Sequence, residues 1–378
     1  MNDQPAQRLF SNNTVEAEAI AELKSQLSIS EVSGMIFFCS SLYNLGKLSE
    51  ALNSSFDFPI IGCTTAGEIC DQHFIHSIVA LVFSSADFEL QTASLNELES
   101  FDSTQYLDSL SELEARSNKI TSVDNNKRFG FLLVDGLSKR EEELTSLLQL
   151  QLGDIELFGG SAGDDFNFEN THIFENGSFK TNLAVLALIS TQHEFELFRH
   201  QHFVPTEKEL VITEVDVRNR LVKEIDGEPA AKAYAEINGL DPENLTDDDF
   251  AMNPLMLKVG DGWYIRAIGN AYPDGSLGFY CSIDEGLPLS IAKGEDMVGN
   301  LKKKVDSLLD SYDEVYFTLG CDCAFRRLEM EKNLLSTDIK EQLSRLNFIG
   351  FNSYGEQYSG LHLNQTLIGV VVGRKKDV

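Results

Sequence analysis

The sequence predicts a mixed α/β fold, in which repeated strand–helix–strand–turn–strand units form sheets flanked by helices in two closely packed domains. One observation behind this prediction is a glycine turn that recurs three times after a short apolar strand. The other is that each turn has the same predicted elements around it. We call the turns the first, second and third glycine turns; they read Gly62-Cys63-Thr64-Thr65-Ala66-Gly67, Gly159-Gly160-Ser161-Ala162-Gly163-Asp164-Asp165 and Gly350-Phe351-Asn352-Ser353-Tyr354-Gly355.

The elements around the three turns follow one another in the same order. The first turn has a predicted strand at 35–38, a helix at 42–52 and a returning strand at 78–83. The second has a strand at 129–134, a helix at 141–152 and a returning strand at 183–189. The third has a strand at 315–319, a helix at 325–346 and a returning strand at 367–372. This agreement favours an internal duplication.

The segments between the units predict two domains, at residues 31–207 and 208–378. Residues 1–30 read as a polar leader with one amphipathic helix, an acidic helix is expected within 96–122, and 124–127 reads as a turn. Residues 195–203 predict a strand that Pro205 ends.

The second domain is predicted to be rich in strands. We expect strands at 210–215, 220–225, 255–259, 263–268, 278–283 and 287–291, helices at 228–238 and 295–310, and an acidic loop at 240–250. No low-complexity linker separates the two domains, so they should pack closely.

The composition excludes several classes of function. The 378 residues carry a formal net charge of −30, which argues against nucleic acid or an anionic membrane as partner. No apolar stretch is long enough to predict a membrane span, and the N-terminus lacks the pattern of a signal peptide. The six cysteines are scattered, as in a protein of the reducing cytosol, so we expect a cytoplasmic location.

The glycine turns do not predict an enzyme. A phosphate loop needs a helix after the glycines, but here a strand follows, and Ser161 lacks the frame of a nucleophile elbow. The simplest interpretation is a tight turn whose glycines need positive φ. No nucleophile–base set is recognisable, so no catalysis is expected; a cleft of shifted carboxylates around Asp164, Asp165 and Glu356 would favour the enzyme alternative.

Three further groups of side chains have alternative interpretations. Cys321-Asp322-Cys323 is too tight for redox or zinc chemistry and favours a buried cysteine pair at a strand end. Arg326-Arg327 is either surface charge or an anion contact. His200 and His202 would share one strand face with Phe198, and they are either metal or haem ligands or polar rim histidines.

Several motifs resemble those of FIST-domain sensory proteins over about residues 30–373. The N-terminal half of that family is matched by the second glycine turn with Phe166 and by Phe174-Glu175-Asn176-Gly177. The C-terminal half is matched by Glu224-Ile225-Asp226-Gly227-Glu228-Pro229-Ala230-Ala231, Ser282-Ile283-Asp284-Glu285-Gly286 and the third turn with Glu356-Gln357. The resemblance implies a sensory function.

Within that family, the chain is most similar to the bacterial nitric-oxide-sensing haemoproteins of the NosP group. The similarity rests on residues 200–206, 282–286 and 321–329. It implies b-type haem bound through a histidine, nitric oxide as ligand, and a histidine kinase or a cyclic-di-GMP enzyme as a partner acting in trans. A homo-oligomer is one alternative for its assembly. The other alternative for its function is a haem-free sensor of a small ligand such as an amino acid.

If haem is bound, we expect His202 as the iron ligand, with His200 second and His172 in reserve. His200 and His202 precede Phe203 near the domain boundary, where ligand pockets are common, and an aromatic neighbour suits a porphyrin. His172 lies in a strand-like segment just after the second glycine turn.

Overall fold

The structure is a computed structural model that describes residues 4–117 and 127–376. It confirms the mixed α/β fold built from repeated units. Each repeat is larger than the predicted unit, with a further strand and helix at its start and a hairpin after its glycine turn. Repeat 1 consists of β1 (Ala6–Ser11), α1 (Glu16–Gln26), β2 (Val32–Ser40), α2 (Leu45–Ser55), β3 (Ile60–Thr65), β4 (Glu68–Cys70), β5 (Gln72–Phe74) and β6 (Ile78–Ser84). Repeat 2 consists of β7 (Phe88–Asn96), α3 (Ser103–Ser117), β8 (Lys127–Val134), α4 (Glu141–Leu152), β9 (Glu156–Ser161), β10 (Ile173–Glu175), β11 (Ser178–Lys180) and β12 (Leu183–Thr191).

The third repeat is interrupted by an insert. It begins with β13 (Glu194–His200). The insert then contains β14 (Phe203–Asp216), β15 (Leu221–Ile225), β16 (Glu228–Pro229), α5 (Ala230–Asn238), α6 (Asp247–Met252), β17 (Leu255–Val259), β18 (Gly262–Arg266), β19 (Ile268–Ala271), β20 (Leu277–Phe279) and β21 (Pro288–Gly294). Repeat 3 continues with α7 (Met297–Asp310), β22 (Tyr312–Cys323), α8 (Ala324–Lys332), α9 (Ser336–Arg345), β23 (Phe348–Ser353), β24 (Glu356–Tyr358), β25 (Leu361–Leu363) and β26 (Leu367–Lys375).

Four local predictions are wrong. The leader forms strand β1, which pairs with β6 and buries Leu9. Pro205 does not end a strand, because it lies inside β14 where the pairing with β21 shifts register. The acidic loop contains helix α6, whose three N-terminal aspartates suit the positive end of the helix dipole. The helix predicted at 325–346 is divided into α8 and α9. The turn predicted at 124–127 lies outside the described residues, apart from Lys127, which begins β8.

Each repeat contributes a hairpin to the sheet of another repeat. The sheet orders are β1-β6-β2-β3-β10-β11, β7-β12-β8-β9-β24-β25 and β13-β26-β22-β23-β4-β5. Thus repeat 2 completes the sheet of repeat 1, repeat 3 completes that of repeat 2, and repeat 1 completes that of repeat 3. The exchange closes a ring of three sheets.

The strand registers show that the three glycine turns are structurally equivalent. Within the parallel strand pairs, Gly62 lies opposite Phe37, Gly159 opposite Leu132 and Gly350 opposite Gly320. On their other side, these glycines face Phe174, Gln357 and Ile69 of the exchanged hairpins. The predicted duplication therefore corresponds to one repeated topology.

The three sheets surround a common apolar core. Their inner faces meet there, with Phe38 stacked on Phe351 and edge-on to Phe131. The outer faces are covered by α1 and α2, by α3 and α4, and by α7 and α9. Among the described residues, no helix is both long and apolar enough to cross a membrane.

The insert has its own apolar core and is anchored to repeat 2 by buried ionic contacts. Arg220 of the insert donates to the carboxylates of Glu141 and Glu142 at 2.7 and 2.6 Å. Glu142 also accepts from the backbone N–H of Ser282. The domain boundary expected between residues 207 and 208 falls inside β14, the first strand of the insert.

Candidate functional site

The three glycine turns meet one another through backbone hydrogen bonds. Ala66 donates to the carbonyl of Asn352 at 2.9 Å, Gly163 donates to Thr64 at 3.0 Å, and Ser161 donates to Gly355 at 2.8 Å. Each turn thus contacts both of the others, at the carboxyl ends of the parallel strands, where ligand sites of α/β sheets are common.

Most of these glycines are required by close approach rather than by positive φ. Among the glycines of the three turns, all of which are described, only Gly67 has a positive φ, of 134°. A Cβ at Gly159 would lie 2.0 Å from the carbonyl oxygen of Leu132, and one at Gly350 would lie 1.8 Å from that of Gly320. The expectation of positive φ is confirmed at Gly67 and wrong at the other glycines, where the crowding comes from neighbouring segments that local sequence does not reveal.

An aromatic cleft lies where the second and third turns meet the insert. It is a shallow cleft with a cavity volume of only ≈20 Å³. Phe168 stacks on Tyr354 with ring centres 4.5 Å apart and on Tyr280 of the insert at 5.6 Å. The cleft is lined by Phe166, Phe168, Tyr280, Cys323, Ala324, Phe325, Ser353 and Tyr354.

The loop that carries Phe168 is organised by Asp164. This buried carboxylate accepts hydrogen bonds from the backbone N–H groups of Phe168, Glu169 and Asn170 and from the hydroxyl of Tyr354. Its two oxygens are therefore occupied by donors of its own chain, which suits a structural role in holding the loop.

Helix α8 separates the aromatic cleft from a buried ionic cluster. Phe325, on its first turn, lines the cleft, whereas the next residue, Arg326, is 1% exposed and donates to Asp322 at 2.6 Å. Although burial alone would raise the pKa of Asp322, the charge of Arg326 and then His73 hold it below its ordinary value. Of the two alternatives for Arg326, surface charge is therefore wrong.

Arg327 connects the same helix to the first and second turns. It donates to the carbonyl of Ala66, pairs with Glu331 at 2.8 Å, and lies 5.9 Å from the ring centre of Phe166. A movement of α8 would therefore change the contacts of Arg327 with the first turn and with Phe166. Cys321 and Cys323, at the end of β22 just before this helix, are both buried and free, as predicted.

His202 is integrated into the ionic cluster. It is 1% exposed, and its Nε2 lies 2.8 Å from a carboxylate oxygen of Glu329, while its Nδ1 lies 3.2 Å from the guanidinium of Arg326. Since arginine can only donate, Nδ1 accepts and Nε2 carries the proton that Glu329 accepts. Both ring nitrogens of His202 therefore have partners within the protein.

His200 lies beside the cluster without a partner. It is 7% exposed, and neither ring nitrogen has a hydrogen-bond partner. Burial first, and then the charge of Arg326, lower the pKa of His200 to about 3, so its imidazole is neutral. His200 shares the buried face of β13 with Phe198, as predicted, but His202 lies beyond the end of that strand.

His172 belongs to a different environment. It precedes β10, its carbonyl accepts from the backbone N–H of Thr64 in the first turn, and its own N–H donates to the Thr64 hydroxyl. Its Nδ1 has no partner, and burial lowers its pKa despite the nearby Asp135 and Asp164. The structure thus brings His200 and His202 together around Arg326 and leaves His172 with the side chains of the first and second turns.

Two buried glutamates occupy equivalent positions after the first and third turns. Glu68 accepts from the hydroxyls of Thr65 and Ser77, and Glu356 accepts from those of Ser353 and Thr366. Burial outweighs these hydrogen bonds and raises the pKa of each carboxyl to about 8. Their oxygens are taken up by the turn and the returning strand, and neither glutamate lines the aromatic cleft.

Sequence reasoning missed the cleft and most of the ionic cluster. Asp322 and Arg326 are four residues apart across a strand–helix junction, and this spacing was the one available signal. Phe168, Tyr280 and Tyr354 come from distant parts of the chain and gave none. Within residues 4–117 and 127–376, no group of three or more His, Cys, Asp or Glu side chains is arranged to hold a metal ion.

Comparison with known proteins agrees with this architecture. Residues 34–228 match the FIST N domain family, and residues 230–359 match the FIST C domain family. The two matches meet inside the insert, between β16 and the first turn of α5. No curated protein matches the sequence.

Proposed function

Because the chain belongs to the FIST family, whose domains are signal-transduction sensor domains, we propose that it is a cytoplasmic haem-based sensor of nitric oxide, like the NosP group. The single observation that carries this proposal is the state of His200. A buried, neutral imidazole with both nitrogens unpartnered has the chemistry that haem iron takes as a ligand.

The geometry favours His200 over His202 as the iron ligand. Ligation through His202 would first have to break its contacts with Glu329 and Arg326 and leave buried charge without a partner. Ligation through His200 breaks no hydrogen bond. Bound haem would supply the iron at which nitric oxide binds.

The residues around His200 offer a route from ligand to helix α8. Arg326 lies close enough to influence the pKa of His200, and it is tied to Asp322 and His202. A displacement of β13 at His200 would therefore alter the contacts that hold α8, and through Arg327 those of the first turn. Such a two-state shift can bias the affinity for a partner.

The proposed output is contact with a histidine kinase or a cyclic-di-GMP enzyme, and not catalysis by this chain. Catalysis was not expected, and a cleft of shifted carboxylates around Asp164, Asp165 and Glu356 would have favoured an enzyme. Asp164 and Glu356 accept hydrogen bonds within the turns and their flanks, and Asp165 accepts from the hydroxyls of Ser40 and Ser41. This supports a sensory role, with the enzymatic step supplied in trans.

The test is haem reconstitution followed by absorption spectroscopy. The wild type should give a stoichiometric Soret band that shifts on addition of nitric oxide. His200→Leu should abolish the band, because leucine keeps the buried apolar contacts of the strand and removes the ligand. The matched control His172→Leu should bind haem like the wild type. Absence of a stoichiometric band in the wild type would refute the haem proposal, and an unchanged band in His200→Leu would refute the ligand assignment.

The aromatic cleft favours a second candidate, a haem-free sensor of a small ligand such as an amino acid. It lies at a junction of two repeats with the insert, where ligand pockets are common. A saturable rise in the melting temperature of haem-free protein with one of the twenty amino acids would support this function. No rise with any amino acid would refute it.

A further inference from the structure

We propose that the aromatic cleft binds a flat aromatic ligand of one or two fused rings in the position that the Phe168 ring now occupies between Tyr280 and Tyr354. This inference goes beyond the haem proposal and uses none of its residues. It gives the second candidate function a location and a ligand class.

The arrangement of the rings indicates a planar ligand. The Phe168 ring is inclined by only 18° to Tyr280 and 19° to Tyr354, so the three rings form a nearly parallel stack. A slot with two parallel aromatic walls suits a flat ring, since offset stacking holds it on both faces. An ammonium group is better held where ring faces converge on one point. The cavity beside the stack holds only ≈20 Å³, so the ligand must take the place of the Phe168 ring itself. Because Phe168 is 40% exposed, a second fused ring can extend from the slot toward solvent.

Phe168 is built to be displaced. Its side chain is 40% exposed although it lies between two buried or half-buried rings. Its backbone is left-handed at φ 53°, as are those of Asp165 and Phe166 at 53° and 64°. Such conformations are costly for residues other than glycine, so a rearrangement that moves Phe168 out of the slot is opposed by less than its packing suggests.

A ligand in this slot would join three parts of the molecule. Tyr280 belongs to the insert, Tyr354 to the third turn and Phe168 to the loop after the second turn. Tyr280 also lies 5.5 Å from the ring of Phe325 on α8. A ligand in place of the Phe168 ring would therefore fix the insert against the repeats and turn that ring out into solvent, while Asp164 still holds the backbone of the loop. This is a surface change that a partner protein can detect.

The test is calorimetric titration of the full-length, haem-free protein with indole. Phe168→Ala should bind indole roughly 5- to 100-fold more tightly than the wild type, because the internal competitor and its two stacking contacts are gone. In that background, Tyr354→Phe should keep the affinity and Tyr354→Leu should reduce it at least fivefold. This pair separates ring stacking from the hydroxyl contact with Asp164.

Each outcome decides the proposal. Equal affinity of wild type and Phe168→Ala, or equal affinity of the phenylalanine and leucine variants at Tyr354, would overturn it. Choline binding that matches indole would overturn the flat-ring specificity. Circular dichroism and melting temperature confirm that the variants are folded, and Tyr280→Leu, on the insert side, gives the same test where a Tyr354 variant does not fold. A missing Soret band has no bearing on these results, so the two proposals fail separately.

Discussion

Replacing Glu356 with glutamine should remove part of the dependence of stability on pH. Burial raises the pKa of this carboxyl from 4.5 to about 8 in the folded protein, against the opposing hydrogen bonds from Ser353 and Thr366. In the unfolded chain it titrates near ~4.3. Between these values the folded state keeps a proton that the unfolded chain has lost, so the free energy of unfolding falls as the pH rises through this window.

The expected effect is large. One pKa unit corresponds to ~1.4 kcal/mol, and the carboxyl is half ionised in the fold at pH 8, so it alone should lower the free energy of unfolding by about 2 kcal/mol from pH 6 to 8. Total stabilities are ~5–15 kcal/mol. Glutamine mimics the neutral acid, since its amide can donate to the Ser353 hydroxyl while its carbonyl accepts from Thr366.

The assay is urea denaturation followed by circular dichroism at pH 6 and pH 8. The loss of unfolding free energy between the two pH values should be about 2 kcal/mol smaller for Glu356→Gln than for the wild type. Glu68→Gln, at the equivalent position, should behave in the same way, and the exposed Glu285→Gln should not. If the wild type instead gains stability relative to Glu356→Gln as the pH rises, then Glu356 is ionised in the fold, and the hydrogen bonds outweigh burial.

Three other substitutions test the packing. Gly350→Ala should lower the free energy of unfolding by about 3 kcal/mol, because the new Cβ would lie 1.8 Å from a carbonyl oxygen of the neighbouring strand. The control Gly46→Ala on α2, where the new Cβ would make only an ordinary contact of 3.4 Å with the side-chain oxygen of Asn44, should raise it by ~0.5–1 kcal/mol. Similar losses for both variants in urea denaturation would contradict this. Arg326→Met should lower the free energy of unfolding by ~3–5 kcal/mol, because it leaves the Asp322 carboxylate buried without the guanidinium. Adding Asp322→Asn to this variant should restore part of the lost stability. A double variant that is no more stable than Arg326→Met would refute the pairing. Arg220→Met should lower the free energy of unfolding by a similar ~3–5 kcal/mol, and it should speed amide hydrogen exchange more in the insert than in the three repeats. An equal increase in the exchange rate in both parts would argue against an anchoring role.

The repeated unit could be predicted because its long elements carry clear patterns. The helix at Glu141–Leu152 has the bounds that the sequence predicted, and β12 and β26 begin where expected. The exchanged hairpins escaped prediction because strands of three residues, such as Glu68–Cys70, have no readable periodicity. Their pairing with a different repeat is set by the whole ring and not by local sequence.

The candidate site was predicted less completely than the fold. His200 and Phe198 do share a strand face, as the alternation of a strand requires. The environment of His202 depends on Arg326 and Glu329, which are distant in sequence, and so its hydrogen bonds could not be anticipated. Likewise the burial of Glu356 could not be anticipated, because nothing local indicates that Thr366 and the returning strand cover its carboxyl.

The exchange of hairpins also sets the order in which the protein can assemble during synthesis. The β4–β5 hairpin leaves the ribosome early, but its pairing strand β23 is among the last to be made. Until then the first hairpin has no sheet, and the second sheet lacks β24 and β25. An isolated repeat would expose an unpaired strand edge prone to aggregation, and the long-range closure of the ring should make folding slow. The three repeats are therefore one unit of folding, although they are three units of sequence.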